Sequence, residues 1–209
     1  MKKETVAILR NFSSINQGII FRQGNELRTM SIMKNVFASA KVPDDFDQEF
    51  AIYDLNEFLS TLSLFDAPTI TYQPDHIDVR SGKNRAKYFF SSPSVIVSPP
   101  VGKSIPVNPY LTFKITSGQL EAIQKAAAVL KLKELEITST GIRAFNKAQS
   151  GNQYDIEVDD IQGTGKDQVL LIENLKLLPL DYTVDVADRV VRFTSVSGDL
   201  EYIISVETD

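Results

Sequence analysis

Residues 49–65, "EFAIYDLNEFLSTLSLF", change their period halfway. Phe50 and Ile52 alternate with Ala51 and Tyr53, the period of a strand. From Asp54 onward the apolar residues fall at Leu55, Phe58, Leu59 and Leu62, the spacing of a helix. Asp54 stands where a helix N-cap belongs. A short helix this apolar cannot lie free in water, so it must pack on a sheet. A strand feeding straight into such a helix is therefore the unit on which the fold is built.

Upstream, Thr5, Ile8, Leu9, Phe12 and Ile15 share one face of a helix predicted from about Glu4 to Asn16, with Gly18 placed to end it. "GIIFRQGNELRTMS" and "NVFASAKV" read as short strands with turns at Gly24-Asn25 and Lys34-Asn35. "TITYQPDHIDVRS" and "RAKYFFSS" read as strands with turns at Pro74-Asp75 and Ser81-Gly82. Residues 92–109, "SPSVIVSPPVGKSIPVNP", hold five prolines and a glycine. Proline cannot donate to a sheet ladder, so this is an extended connector.

The second half then repeats the first. "TSGQLEAIQKAAAVLKL" is a helix with Leu120, Ile123, Ala127 and Leu130 inward, "ELEITSTGIRAFNKAQ" a hairpin and "NQYDIEV" a strand. "DQVLLIENLKLLPLDYTVDVADRVVRFTS" answers residues 49–65 with an apolar strand, a short apolar helix and further strands. The expected class is α+β: two duplicated domains, 1–92 and 110–209, joined by a connector at 93–109, each with two helices on antiparallel sheet.

The totals exclude several functions. There is no cysteine, so no disulfide, thiolate nucleophile or cysteine metal site, which fits a reducing cytosol. The basic start "MKKETVAILRNFSSIN" lacks the long apolar core of a signal peptide. No run approaches the ~18 apolar residues of a membrane span. The net charge of −5 argues against nucleic acid by the total alone, but not by where the charges lie.

No catalytic set stands out, and no metal or cofactor is expected. His76 is the single histidine, and it reads as a solvated turn residue beside Asp75 and Asp78. "GTGKD" at Gly163–Asp167 lacks the first glycine and the Ser/Thr of a phosphate loop and reads as a flexible hairpin tip. Asp44-Asp45 and Asp159-Asp160 could meet a divalent cation but lack a wider ligand pattern, so they read as surface turns. "SVIVSPPVG" is an apolar patch that serves as core cover or as a docking strip, since Val95, Val97 and Val101 cannot all point inward.

"AILRNFSSINQGIIF", "FDQEFAIYDLNEFLSTLSLF", "LEITSTGIRAFNKA" and "NLKLLP" resemble the DNA polymerase sliding clamps of T-even-type bacteriophages. The resemblance spans both halves. It is densest in the first two stretches, loose over about 66–110, and lost in the loop at 147–167. It implies a ring of duplicated domains, helices inside and sheets outside. It also implies a homotrimer that encircles duplex DNA, tethers the DNA polymerase, is opened by a clamp-loader ATPase, and acts in the cytoplasm of the infected host. It implies no enzyme activity and no membrane. A phage assembly protein of duplicated α+β domains, or an enzyme with an unrecognised carboxylate site, are the rival readings.

At roughly 100° per residue, Lys3 and Arg10 fall opposite the buried face of the first helix, with Ser14 and Gln17 below them. Lys125 lies opposite Leu120 and Ala127, and Lys131 near the apolar side at the helix end. The resemblance adds Lys176 of "NLKLLP". These five are the expected DNA-facing bases, although exposed lysines are ordinarily just solvated. The second helix offers none. Clamps of this family close by edge-strand pairing, which points to "KYFFSS" and "QYDIEV", with Tyr88, Phe90, Tyr154 and Ile156 adding apolar contact. Partners of related clamps insert apolar tails near the connector, which points to Val36, Val95, Val97 and Ile203.

Overall fold

The computed structural model describes residues 1–102, 104–148 and 151–207. The chain divides into two compact units, Met1–Lys34 with Ala38–Val101, and Asn35–Phe37 with Gly102–Asp209.

The first unit begins with helix α1, Lys3–Ile15. Thr5, Leu9, Phe12 and Ile15 are buried, at spacings that stack side chains on one face, while Ile8 is half-buried. Lys2 provides no side-chain cap. Asp44 supplies one from a distant strand, its carboxylate accepting from the Lys2 amide at 2.8 Å and from the Thr5 hydroxyl. An anion there partners an otherwise orphaned amide and favours the helix dipole. The helix stops at Asn16, whose backbone is extended. The Asn16 side chain accepts from the Gly18 amide and donates to the Met30 and Val97 carbonyls, both at 2.9 Å. Gly18 is therefore not the terminator. It is needed because a Cβ there would lie 3.2 Å from the Ile52 and Tyr53 carbonyl oxygens.

Strands β1 (Ile19–Phe21), β2 (Gly24–Met30), β3 (Val36–Phe46) and β4 (Phe50–Ile52) follow. Gly24 opens β2 instead of turning, and β3 runs on through Asp44-Asp45. β1 and β4 pair antiparallel with Phe21 opposite Phe50, whose rings stack at 4.4 Å. Helix α2, Leu55–Ser63, leaves β4 as the period change requires. The Asp54 carboxylate accepts from the Glu57 amide at 3.0 Å. That bond, with a second from Gln17, holds its carboxyl below the usual carboxylate range. Leu55, Phe58, Leu59 and Leu62 are all buried, each contributing ~1.5–3 kcal/mol by leaving water. Strands β5 (Thr69–Tyr72), β6 (His76–Ser81) and β7 (Asn84–Phe89) form an antiparallel meander with β7 on an edge.

The second unit opens with β8 (Leu111–Ile115) and helix α3 (Ser117–Leu130). Thr116 and Gln119 close a capping box, and Lys131 ends the helix in the left-handed region at φ 57°. Strands β9 (Glu134–Ile137), β10 (Gly141–Phe145), β11 (Tyr154–Glu157), β12 (Gln162–Gly163) and β13 (Gln168–Leu171) follow. Then come β14 (Tyr182–Val186), β15 (Val190–Ser195) and β16 (Leu200–Ser205). One sheet has the order β11-β10-β9-β13, and in a second the strands run β12-β8-β14-β15-β16. Tyr182, Tyr202 and Phe193 pack edge to face in the core.

The expected fourth helix does not form. Ile172–Asn174 makes a single 3-10 turn, and the chain then runs irregularly through "LKLLP". Leu175 and Leu177 are buried while Lys176 between them is half-buried, an alternation of two. Pro179 turns Leu178 away from helical backbone, leaving too few residues for a stable helix. The α+β class and the repeat of domains stand, with three α-helices among the described residues instead of four.

Candidate nucleic-acid interface and docking surfaces

Lys3, Ala7, Arg10, Ser14 and Gln17 are exposed, a stripe at helical spacing opposite the buried face of α1. Beside it, the Ser13 hydroxyl donates to Asn56 Oδ1 of α2 at 3.0 Å. The outer face of α2 carries Asn56, Glu57 and Ser60 and no base. On α3, Glu121 and Lys125 are exposed, and Lys131 is exposed at the helix end. Lys176 departs from expectation. It lies half-buried on irregular backbone, not on a helix. The structure thus puts Lys3 with Arg10 on one helix and Lys125 on another, with Lys131 just past the end of the latter.

The two suspected edges are sheet edges: β7 borders β5-β6-β7 and β11 borders its four-stranded sheet. Tyr88 and Phe90, however, face their own unit. Tyr88 packs on Phe58 at 5.3 Å and donates its hydroxyl to the Asp54 carbonyl, and Phe90 stacks on Phe50 at 4.8 Å. The Phe90 amide also donates to the Asp75 carbonyl at 2.9 Å. Tyr154 and Ile156 are likewise half-buried. What β7 exposes is Asn84, Arg85, Lys87 and Phe89, with Phe89 63% exposed, and what β11 exposes is Asp155 and Glu157. Strict alternation in "RAKYFF" and "YDIE" would have found them, but the aromatic content drew attention to the other face.

Of the four residues assigned to a partner pocket, Val36 and Ile203 are buried, at 2% and 3% exposure. Both sit on strands and serve the core, so they cannot line a surface site. Val95 is 59% exposed and Val97 half-buried. The connector here is anchored by Asn16 on the Val97 carbonyl and by Arg28 on the Pro100 carbonyl at 3.3 Å.

The motifs weighed for chemistry have structural uses. His76 opens β6 and is not a solvated turn residue. Its side chain is 13% exposed, bonded through Nδ1 to Asp75 at 2.6 Å and set against the Phe89 ring. "GTGKD" is no free hairpin tip: Gln162 and Gly163 pair with β8. A Cβ at Gly163 would stand 2.2 Å from the Tyr110 carbonyl oxygen, and one at Gly165 1.9 Å from the Tyr110 ring. The Tyr110 hydroxyl donates to the Lys166 carbonyl and accepts from Gln168. Asp44 serves α1, and Asp159 and Asp160 lie exposed beyond β11. Among the described residues no group of three or more His, Asp or Glu side chains could hold a metal ion, and no helix is long and apolar enough to cross a membrane.

Residues 2–98 match the family described as DNA polymerase processivity factor. The chain is 29% identical to the sliding clamp of Escherichia phage RB69 over 222 residues, covering 100% of this chain and 97% of that one. It is 27% identical to the sliding clamp of Vibrio phage KVP40 over 219 residues, covering 99% and 98%. Among solved structures, A. fulgidus PCNA bound to the C-terminal region of FEN-1 matches with a TM-score of 0.70 at 15% identity, covering 98% of this chain and 95% of that one. That likeness shows the clamp fold. Sliding clamps are processivity factors and not enzymes, and the carboxylate-enzyme reading falls with this relationship.

Proposed function

Because the chain is a relative of the phage sliding clamps, we propose that three copies close into a ring that encircles duplex DNA and tethers the replicative polymerase. The full-length likeness to phage sliding clamps carries the reading. The exposed Lys3 and Arg10 on α1, with Lys125 on α3 and Lys131 just past its end, supply the cations an inner wall needs. A sliding protein cannot prefer a sequence, so these side chains meet phosphates and not base edges. Such contacts are individually weak and salt-dependent. The ring, not the contacts, holds the duplex. Lys176 contributes less, being half-buried.

Unpaired strand edges invite pairing with another chain, and β7 of one copy with β11 of the next is the closure that fits. The domains assigned to 1–92 and 110–209 then alternate around the ring, with 93–109 between them. A closed ring admits DNA only when opened, which calls for a clamp-loader ATPase. The polymerase and loader dock on the exposed connector around Val95 and Val97. The site of action is the cytoplasm of the infected bacterial host. Native mass measurement over a range of protein concentrations tests the assembly, and a population of trimers that dissociates on dilution is the expected result. A chain that remains monomeric at every concentration sinks the proposal.

A further inference from the structure

We propose that the two edges recognise each other by charge, with Arg85 and Lys87 of β7 in one copy set against Glu157 and Asp155 of β11 in the next. The inference rests on the ring reading above.

On β7, Ala86 and Tyr88 are half-buried, as is Phe90 just beyond it, while Asn84, Arg85, Lys87 and Phe89 are exposed. On β11, Tyr154 and Ile156 are half-buried, while Asp155 and Glu157 are exposed. Tyr88 on Phe58 marks the helix-facing side of β7, and α3 lies against β11. When one edge extends another sheet, side chains keep to their faces, because successive residues point to opposite sides. With the helix-facing sides of the two sheets aligned, both cations and both carboxylates come to the outer side together.

Each charged pair is spaced by two, so one antiparallel register satisfies both. Arg85 opposite Glu157 sets Lys87 opposite Asp155, and on the inner side it brings Tyr88 opposite Tyr154. A slip of one residue puts the cations against the inner face of β11. A slip of two toward Gln153 leaves only one pair, and a slip of two the other way keeps two only by calling on Asp159, which lies beyond β11, so the charges within the strand select a register as well as a partner.

Within its own sheet, Arg85 stands directly opposite Arg80 of β6. Like charges so placed destabilise a sheet, which is a cost that an acidic neighbouring edge would relieve. Lys87 stands opposite Asp78 and Asp155 opposite Arg143 in their own sheets, yet among the described residues none of Arg85, Lys87, Asp155 and Glu157 closes an ion pair within its own chain. Exposed pairs are individually weak, so the expected role is selection of partner and register in addition to strength.

The test is charge reversal followed by native mass measurement across concentration. Arg85→Glu with Lys87→Glu gives a chain acidic on both edges, and Asp155→Lys with Glu157→Lys gives one basic on both. Each double variant should need a roughly tenfold or higher concentration to form trimers. The fourfold variant has reversed but complementary edges and should recover the parent's behaviour. Thermal melting of each chain establishes that it is folded, and folded double variants that trimerise like the parent overturn the charge pairing while leaving the ring intact. So does a folded fourfold variant that stays dissociated. A parent that never forms trimers removes the ring reading itself, and the pairing with it.

Discussion

Asp44 shows how one side chain can found an element far from it in sequence. It takes the place of the missing cap of α1, bonding the Lys2 amide across 42 positions of chain and the buried Thr5 hydroxyl across 39. Asp44→Ala should cost ~1 kcal/mol, the typical worth of a cap, whereas Asp45→Ala, exposed beside it, should stay within ~0.5 kcal/mol. Urea unfolding of the two variants makes the comparison. Four tyrosines set the alkaline limit. Burial pushes Tyr72 and Tyr88 up to about 12, and raises Tyr182 and Tyr202 as well. A folded-state pKa above the unfolded value near 10 means stability is intact below pH ~10 and is lost as pH climbs toward about 12. The melting temperature should hold to pH ~9.5 and fall steeply above pH ~10.5; Tyr88→Phe should soften that fall. The Asp54 cap was legible in the sequence because its partner, Glu57, is three residues away. Asp44 was not, because nothing local connects a strand-end aspartate to a helix start.

Elements were legible where period and flanking residues agreed. α1, α2 and α3 each carry a 3.6-residue apolar face, and α2 adds its local cap, Asp54. The fourth helix was misread because the leucines of "NLKLLP" fit either period, and Pro179 decides against the helix. Lys3 and Arg10 on α1 and Lys125 on α3 are exposed, as the proposed inner face requires. Replacing Lys3, Arg10 and Lys125 with alanine should leave trimers and retention on circles intact yet weaken electrostatic association with duplex at low salt and make its salt dependence shallower, each lost phosphate contact removing ~0.9 from the slope. An unchanged salt dependence of that association moves the inner face elsewhere. Adding Lys176→Ala should have a smaller effect. The connector gives a separate prediction. Val95→Asp should abolish polymerase stimulation without disturbing assembly or melting. Val36→Asp and Ile203→Asp should lower the melting temperature outright, because each buries an unpaired charge. Equal polymerase stimulation by the parent and the Val95→Asp protein places docking away from the connector.

At the scale of the whole molecule, a chain with 22 basic and 27 acidic residues holds DNA only if its charges are segregated. Bases on helix faces inside and acids outside would centre a duplex by attraction and repulsion together. Affinity for phosphates need not be high, because a closed ring cannot leave a circle. The duplicated plan was legible because apolar patterning repeats along the chain. The two edge strands came from the family resemblance and not from patterning, because an edge is recognised only once strands have been ordered into sheets. The most direct measurement is retention on nicked circular duplex after loading with the clamp loader and ATP. Salt high enough to screen phosphate contacts should leave the protein on the circles, and one cut that linearises them should release it within the time needed to slide off an end. Release from circles and from linear DNA at the same rate would contradict encirclement.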